Sequence, residues 1–170
     1  MNVSDAIQTK RAVRQFTQQP LPEETVRAIL NAGRRSQSSK NTQPWQFIAV
    51  RRRDQLKALS ACGAYAGHLA GAALGVAILT PQPDEKFQTL FDAGQAAAYM
   101  QLAAWELGVG SCLASIYEPE QARAILGFPA DWQVRICLSF GYPQETEKLS
   151  APPKKGGRRP LDEIIHWDTW

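Results

Sequence analysis

Two short segments hold the side chains with chemistry to offer. Ser38-Ser39-Lys40-Asn41-Thr42-Gln43-Pro44-Trp45 packs short hydrogen-bonding side chains ahead of a Pro-Trp pair, which leads into the apolar run Phe47-Ile48-Ala49-Val50. Such a loop can offer hydroxyls, an amide and backbone N–H groups to a polar, planar ligand while the chain turns into a strand. Upstream, Lys10-Arg11-Ala12-Val13-Arg14-Gln15-Phe16 sets three cations on one turn of an expected helix, spaced to converge on a single anion. An anion clamp combined with a polar loop suits a phosphorylated heterocycle.

Those segments need elements to hold them. Ser4 can cap a first helix over roughly residues 5–11, with Asp5 well placed in its first turn. Pro22-Glu23-Glu24 opens a second helix, in which Val26, Ile29, Leu30 and Gly33 give one buried face. Residues 46–51 suit a short strand, residues 54–62 a third helix, and Ala73 to Thr80 a buried strand ended by Pro81. Residues 86–107 read as the longest helix, kept lean by Ala93, Gly94, Ala96, Ala97, Ala98, Ala103 and Ala104. Leu113 to Ile116 is expected to be extended, Pro119 to Leu126 helical, and Val134 to Phe140 a further strand. Helices alternating with a few strands indicate one layered α/β or α+β domain over 1–170. From Tyr142 on, Pro, Gly and Lys point to an extended arm ending in Ile164, Ile165, Trp167 and Trp170, apolar groups that need a surface to dock on.

Composition excludes several classes. With 21% charged residues and a net charge of +3, the chain is only mildly basic, and its cations lack the aromatic interleaving of nucleic-acid binders. Arg51-Arg52-Arg53 reads as solvated surface, whereas Arg158-Arg159, after Lys154-Lys155, suits a phosphate. Asp92, Gln95, Gln101 and Glu106 interrupt the apolar stretch 91–110, so it reads as a buried helix rather than a membrane span. No signal-peptide pattern opens the chain, and a cytoplasmic protein is expected. Cys62, Cys112 and Cys137 have no C-x-x-C spacing and read as reduced, buried small hydrophobes. With only His68 and His166 available, no metal site is expected.

The basic R-x-x-R-type segment together with S-x-x-N-x-Q-P-W resembles the nitroreductase family of flavin mononucleotide (FMN) enzymes. Asp92-Ala93-Gly94-Gln95-Ala96-Ala97, continuing to Gly108-Val109-Gly110, resembles the family's central helix and the turn after it. Arg158-Arg159-Pro160-Leu161-Asp162-Glu163-Ile164-Ile165-His166 resembles its C-terminal signature, so the match runs through nearly the whole chain in the family's order.

The resemblance implies an α+β fold with a central, mostly antiparallel sheet flanked by helices, and an extended arm over about 143–170. It implies a homodimer with FMN at the subunit interface. Lys10, Arg11 and Arg14 would hold the phosphate, joined by Arg158 or Arg159. Ala12 departs from the family's usual serine, a loss of about 1 kcal/mol of affinity. Ser38, Ser39 and Asn41, with Gln37 through its backbone, would contact the ribityl chain, ring edge or phosphate. Pro44-Trp45 reads first as a rigid turn plus a core aromatic. The backbone of Ser115 and Ile116, within residues 114–117, would lie near flavin N5 and O4. Tyr117 stays open between the substrate face and the core.

Gly108-Val109-Gly110 is no dinucleotide fingerprint, because it lacks the third glycine and follows a helix. The implied activity is ping-pong hydride transfer from NADH or NADPH to nitroaromatic, quinone or similar small acceptors, with no side chain that must titrate. The alternatives are a relative with different flavin chemistry (fragmentation, dehalogenation) and a non-catalytic FMN-binding or sequestering protein.

Overall fold

The computed structural model describes residues 1–82, 86–146 and 157–170. In chain order the main elements are α1 (Val3–Thr9), α2 (Glu23–Arg34), β1 (Gln46–Val50), α3 (Arg53–Ser60) and β2 (Leu74–Pro81), then α4 (Phe87–Glu106), β3 (Gly110–Ser115), α5 (Pro119–Leu126) and β4 (Trp132–Gly141). The strands form one sheet in the order β1-β2-β4-β3, with every neighbouring pair antiparallel. This is the expected α+β architecture.

β2 is apolar from Leu74 to Leu79 because both of its faces are covered. Successive side chains point to opposite sides of a strand, so Val76 and Ile78 join one core with α2 and α4, and Ala77 and Leu79 join another. The first core centres on Ile29, Met100, Leu138 and Phe140, each at 0% exposure. The second holds Leu56 and Leu59 of α3, Ala122 of α5, and Val134 and Cys137 of β4. Full burial of each such Leu or Ile stabilises the fold by about 1.5–3 kcal/mol before entropy is counted.

α4 packs through Ala93, Ala96, Ala97, Met100 and Ala104, and one charged side chain, Asp92, is buried with them. The expectation of a buried helix is corrected on its other face. There Phe87 (79% exposed), Phe91 (68%) and Tyr99 stand in solvent, and a Cβ on Gly94 would meet nothing within 4 Å. Among the described residues no helix is long and apolar enough to cross a membrane.

Two local expectations at the N-terminus are also corrected. The cap of α1 is Asn2, whose side chain accepts the Asp5 N–H at 2.9 Å, rather than Ser4. The helix also stops at Thr9, so the segment from Lys10 to Phe16 is an extended ribbon beside β3, not a helical turn. The cause is tertiary. Val13 donates its N–H to Ser111 O at 2.9 Å and packs over Gly110, where a Cβ would come within 2.7 Å of it. Phe16 does the same over Gly141, with a clearance of 2.9 Å. Burying both side chains outweighs local helix preference, and only glycine leaves room beneath them.

Candidate functional site

The ribbon sorts its cations onto different sides. Arg11 folds back on α1, its Nη1 donating to Gln8 O at 2.9 Å and Lys10 O at 3.2 Å. It lines a cleft of about 560 Å³ with Met1, Thr9, Trp105 and Gly108. Arg14 instead lines a second cleft, of about 590 Å³, with Gln15, Tyr65, Gly67 and His68. Lys10 lies close to Cys112, and partial burial lowers its pKa from the ordinary lysine value. Neither Lys10 nor Arg14 pairs its side chain with a carboxylate among the described residues. Several other arginines are paired: Arg27 and Arg51 with Glu23, Arg52 with Asp54 and Arg123 with Glu120, while Arg53 donates to the neutral Gln18 Oε1 at 2.9 Å. The solvated reading of residues 51–53 therefore fits, and of the unpaired cations Arg14 is the one that lines a cleft with His68. Ala12 is exposed and bridges Ser111 through its backbone.

His68 lies at the floor of the Arg14 cleft at 9% exposure, its Nδ1 2.7 Å from Ser139 Oγ. Its pKa is lowered from the ordinary 6.5, first by burial and then by the Arg14 charge, with the Leu113 backbone acting the other way.

The polar loop is tied to α4. Asp92 accepts the Ser39 N–H at 2.9 Å through one carboxylate oxygen and faces the Gln95 amide at 3.4 Å with the other. Gln37 donates to Gln95 Oε1 at 2.8 Å, so Gln37 is held by its side chain. Ser38 Oγ accepts the Gln43 N–H at 2.9 Å, and Thr42 donates its hydroxyl to Ser39 O at 3.0 Å. Lys40, Asn41 and Gln43 all sit at positive φ (52°, 56° and 49°), a strained conformation that this network holds in place. Ser39 Oγ and the Asn41 amide are left exposed, with no protein partner among the described residues. Trp45 is 5% exposed and stacks on Phe47 at 6.3 Å, a core aromatic as read from the sequence.

At the end of β3 the candidate backbone donors narrow to one. Ile116 N–H is donated to Arg135 O at 2.9 Å and Tyr117 N–H to Cys62 O at 2.8 Å, so neither is free. Antiparallel alternation turns the Ser115 N–H to the open edge of the sheet. The turn after α3 presses against this point, since a Cβ on Gly63 would lie 2.1 Å from Ser115 O. Tyr117 is 60% exposed, which decides against core packing. All three cysteines are free and buried, and burial pushes the Cys137 thiol up to about 12.

Arg158 and Arg159 are exposed, just before a 3-10 turn at Leu161–Glu163, while Lys154 and Lys155 lie outside the described residues. Trp167 (82%) and Trp170 (100%) project from the arm, Trp170 stacked on His166 at 4.1 Å.

Asp92 and His68 were missed as site residues. A carboxylate inside an Ala-rich helix is a usable signal, because a buried charge must find donors. A lone histidine gives no such signal until its neighbours are known.

The ribbon and the loop are far apart. β1, which the loop enters, and β3, which the ribbon borders, are opposite edges of the sheet, three strand spacings or about 14 Å apart. Along α4, Asp92 holds the loop while Trp105 Nε1 donates to Thr9 Oγ1 at 3.0 Å, separated by about 20 Å of helix.

Residues 7–68 and 61–142 match the family model described as "Nitroreductase family". An Archaeoglobus fulgidus protein, provisionally named NADH dehydrogenase/NAD(P)H nitroreductase, is 30% identical over 171 residues, covering 96% of each chain. The 5,6-dimethylbenzimidazole synthase of Rhodospirillum rubrum is 29% identical over 186 residues, with 90% of this chain and 88% of that protein covered. Among solved structures, an FMN-dependent nitroreductase from Clostridium difficile superposes with a TM-score of 0.84 at 26% identity, covering 99% of this chain and all of that one. Sheet order, flanking helices, cation ribbon and α4-anchored loop thus occur in a chain that belongs to the nitroreductase family, whose relatives include NAD(P)H oxidoreductases.

Proposed function

We propose that the protein is a homodimeric, FMN-dependent NAD(P)H oxidoreductase acting on nitroaromatics, quinones or similar small acceptors. The observation that carries this reading is Arg14, a cation with no carboxylate partner among the described residues that lines a cleft, with the equally unpaired Lys10 on the same ribbon. An unmatched arginine lining a pocket favours an anion of phosphate type, because its fork takes two phosphate oxygens at once. The free Ser115 N–H suits an acceptor atom on a planar ring, and Ser39 Oγ and Asn41 suit hydroxyls or ring-edge groups. Arg158 or Arg159 would close over the phosphate from the arm, and Arg11 has the smaller part.

The bound FMN supplies two-electron transfer between NADH or NADPH and the acceptor, the two taking turns over the ring. The residues of this chain bind, orient and leave the ring open. The link from Pro81 to Phe87 contains only five residues, too few for a lid, so the substrate face stays permissive. That shortness also argues against flavin fragmentation, the alternative that would need a substrate lid. A homodimer fits the separation of ribbon and loop, because a second copy can bring its loop to the first copy's ribbon. The exposed Phe87, Phe91 and Tyr99 of α4 and the tryptophans of the arm are apolar enough to form that contact.

The test is turnover by the purified, FMN-loaded protein, with NADH and NADPH in turn and a quinone or nitro compound as acceptor. Parallel lines in double-reciprocal plots support the ping-pong reading. A flavin-loaded protein that oxidises neither nucleotide would favour sequestration.

A further inference from the structure

His68 has no role in anything described so far, yet its surroundings are specific. Ser139 directs its hydroxyl to Cys112 O at 3.3 Å, so its oxygen is left to accept from His68 Nδ1 at 2.7 Å. With the Ser139 proton assigned to Cys112 O, Nδ1 carries the ring proton and Nε2 the lone pair, the Leu113 backbone beside the ring pulling the other way. Nε2 is fully buried and without a partner, one of two such side-chain atoms among the described residues. A buried acceptor left without a donor is destabilising. Arg14 is the cation of the cleft that His68 floors; its charge is felt at the ring, and its fork has five donors with none engaged among the described residues.

We propose that His68 is a positioning residue for the phosphate-binding Arg14: fixed from below by Ser139, its Nε2 accepts one guanidinium N–H and turns the rest of the fork toward the phosphate. Depression of the imidazole pKa by burial and by Arg14 keeps the ring neutral, as an acceptor must be. The inference rests on the reading of Arg14 as a phosphate ligand.

Two amide variants separate the nitrogens. His68→Asn mimics Nδ1 and keeps the Ser139 contact but removes Nε2, whereas His68→Gln places an amide oxygen within reach of the Nε2 position. Apo protein is titrated with FMN and with riboflavin, which differs by the phosphate alone, and flavin fluorescence is followed. The expected result is an FMN Kd raised about tenfold by His68→Asn, with riboflavin binding changed less than about twofold. His68→Gln should recover most of that loss. Added to Arg14→Ala, His68→Asn should have no further effect, because its partner is gone.

Equal weakening of both ligands by His68→Asn, an unchanged FMN Kd, or effects that multiply in the double variant would each overturn the role of His68. Wild-type protein that binds FMN no better than riboflavin would instead overturn the phosphate reading of Arg14, and this inference with it.

Discussion

The ribbon at Lys10–Arg14 and the loop at Gln37–Gln43 are both polar, yet they use their polarity in opposite ways. In the loop, most groups are committed to the protein: Ser38 to Gln43, Thr42 to Ser39, Gln37 to Gln95, and the Ser39 N–H to Asp92. The network holds three non-glycine residues at positive φ, which leaves Ser39 Oγ and Asn41 presented outward. In the ribbon the backbone is committed, through Val13 and the glycines beneath it, while the charges of Lys10 and Arg14 are not. A site can thus be half shape and half charge. Damage to the loop's internal hydrogen bonds should appear first as lost stability, and damage to the ribbon charges or to the outward-facing Asn41 as lost ligand.

The largest effect is expected from Arg14→Ala. It should weaken FMN binding by roughly a hundredfold, because a charge-assisted, two-pronged contact is lost, while the thermal midpoint of the apo protein stays put. A drop in that midpoint would mean the guanidinium is structural after all. Asp92→Ala comes next and inverts the pattern. Removing the acceptor of Ser39 should cost about 2 kcal/mol in urea unfolding, and flavin affinity should fall only as the loop loosens. Ser38→Ala deletes the single contact to the Gln43 N–H and should cost about 1 kcal/mol by the same assay.

Acid should act more weakly. Because the folded pKa of His68 lies below 6.5, its contribution to stability is complete above pH 6.5 and declines as pH falls toward that lower value. Wild-type protein should therefore lose more stability below pH 6.5 than His68→Gln does. Arg11→Ala should do least, changing FMN affinity less than about twofold, since this side chain is folded onto α1 and lines the other cleft.

Much of this was legible in the sequence. The strand and helix order followed from apolar periodicity, and α5 ends at Leu126 as expected, whereas β4 begins at Trp132 rather than Val134 and β3 at Gly110 rather than Leu113. Trp45 as a core aromatic and the three cysteines as buried thiols were likewise readable from residue type. The ribbon was not, because its conformation is decided by Gly110 and Gly141, about a hundred residues away, which open room for Val13 and Phe16. The division between Arg11 and Arg14 depends on that same contact, so helical spacing misplaced it. The exclusion of the Ile116 N–H depends on Arg135 across the sheet, a pairing no local pattern announces. Local chemistry named the groups, and long-range packing decided which of them face a ligand.

The central claim is that one site takes its ribbon from one copy and its loop from another. The direct measurement is flavin content of a heterodimer assembled from an Arg14→Ala copy and an Asn41→Ala copy carrying different affinity tags. If the site is shared between copies, one of the two sites receives both lesions and the other neither. About half of the wild-type flavin should then be retained, although each variant homodimer is flavin-poor. If ribbon and loop of the same copy make the site, both sites are damaged and the heterodimer is as flavin-poor as its parents, which would contradict the claim.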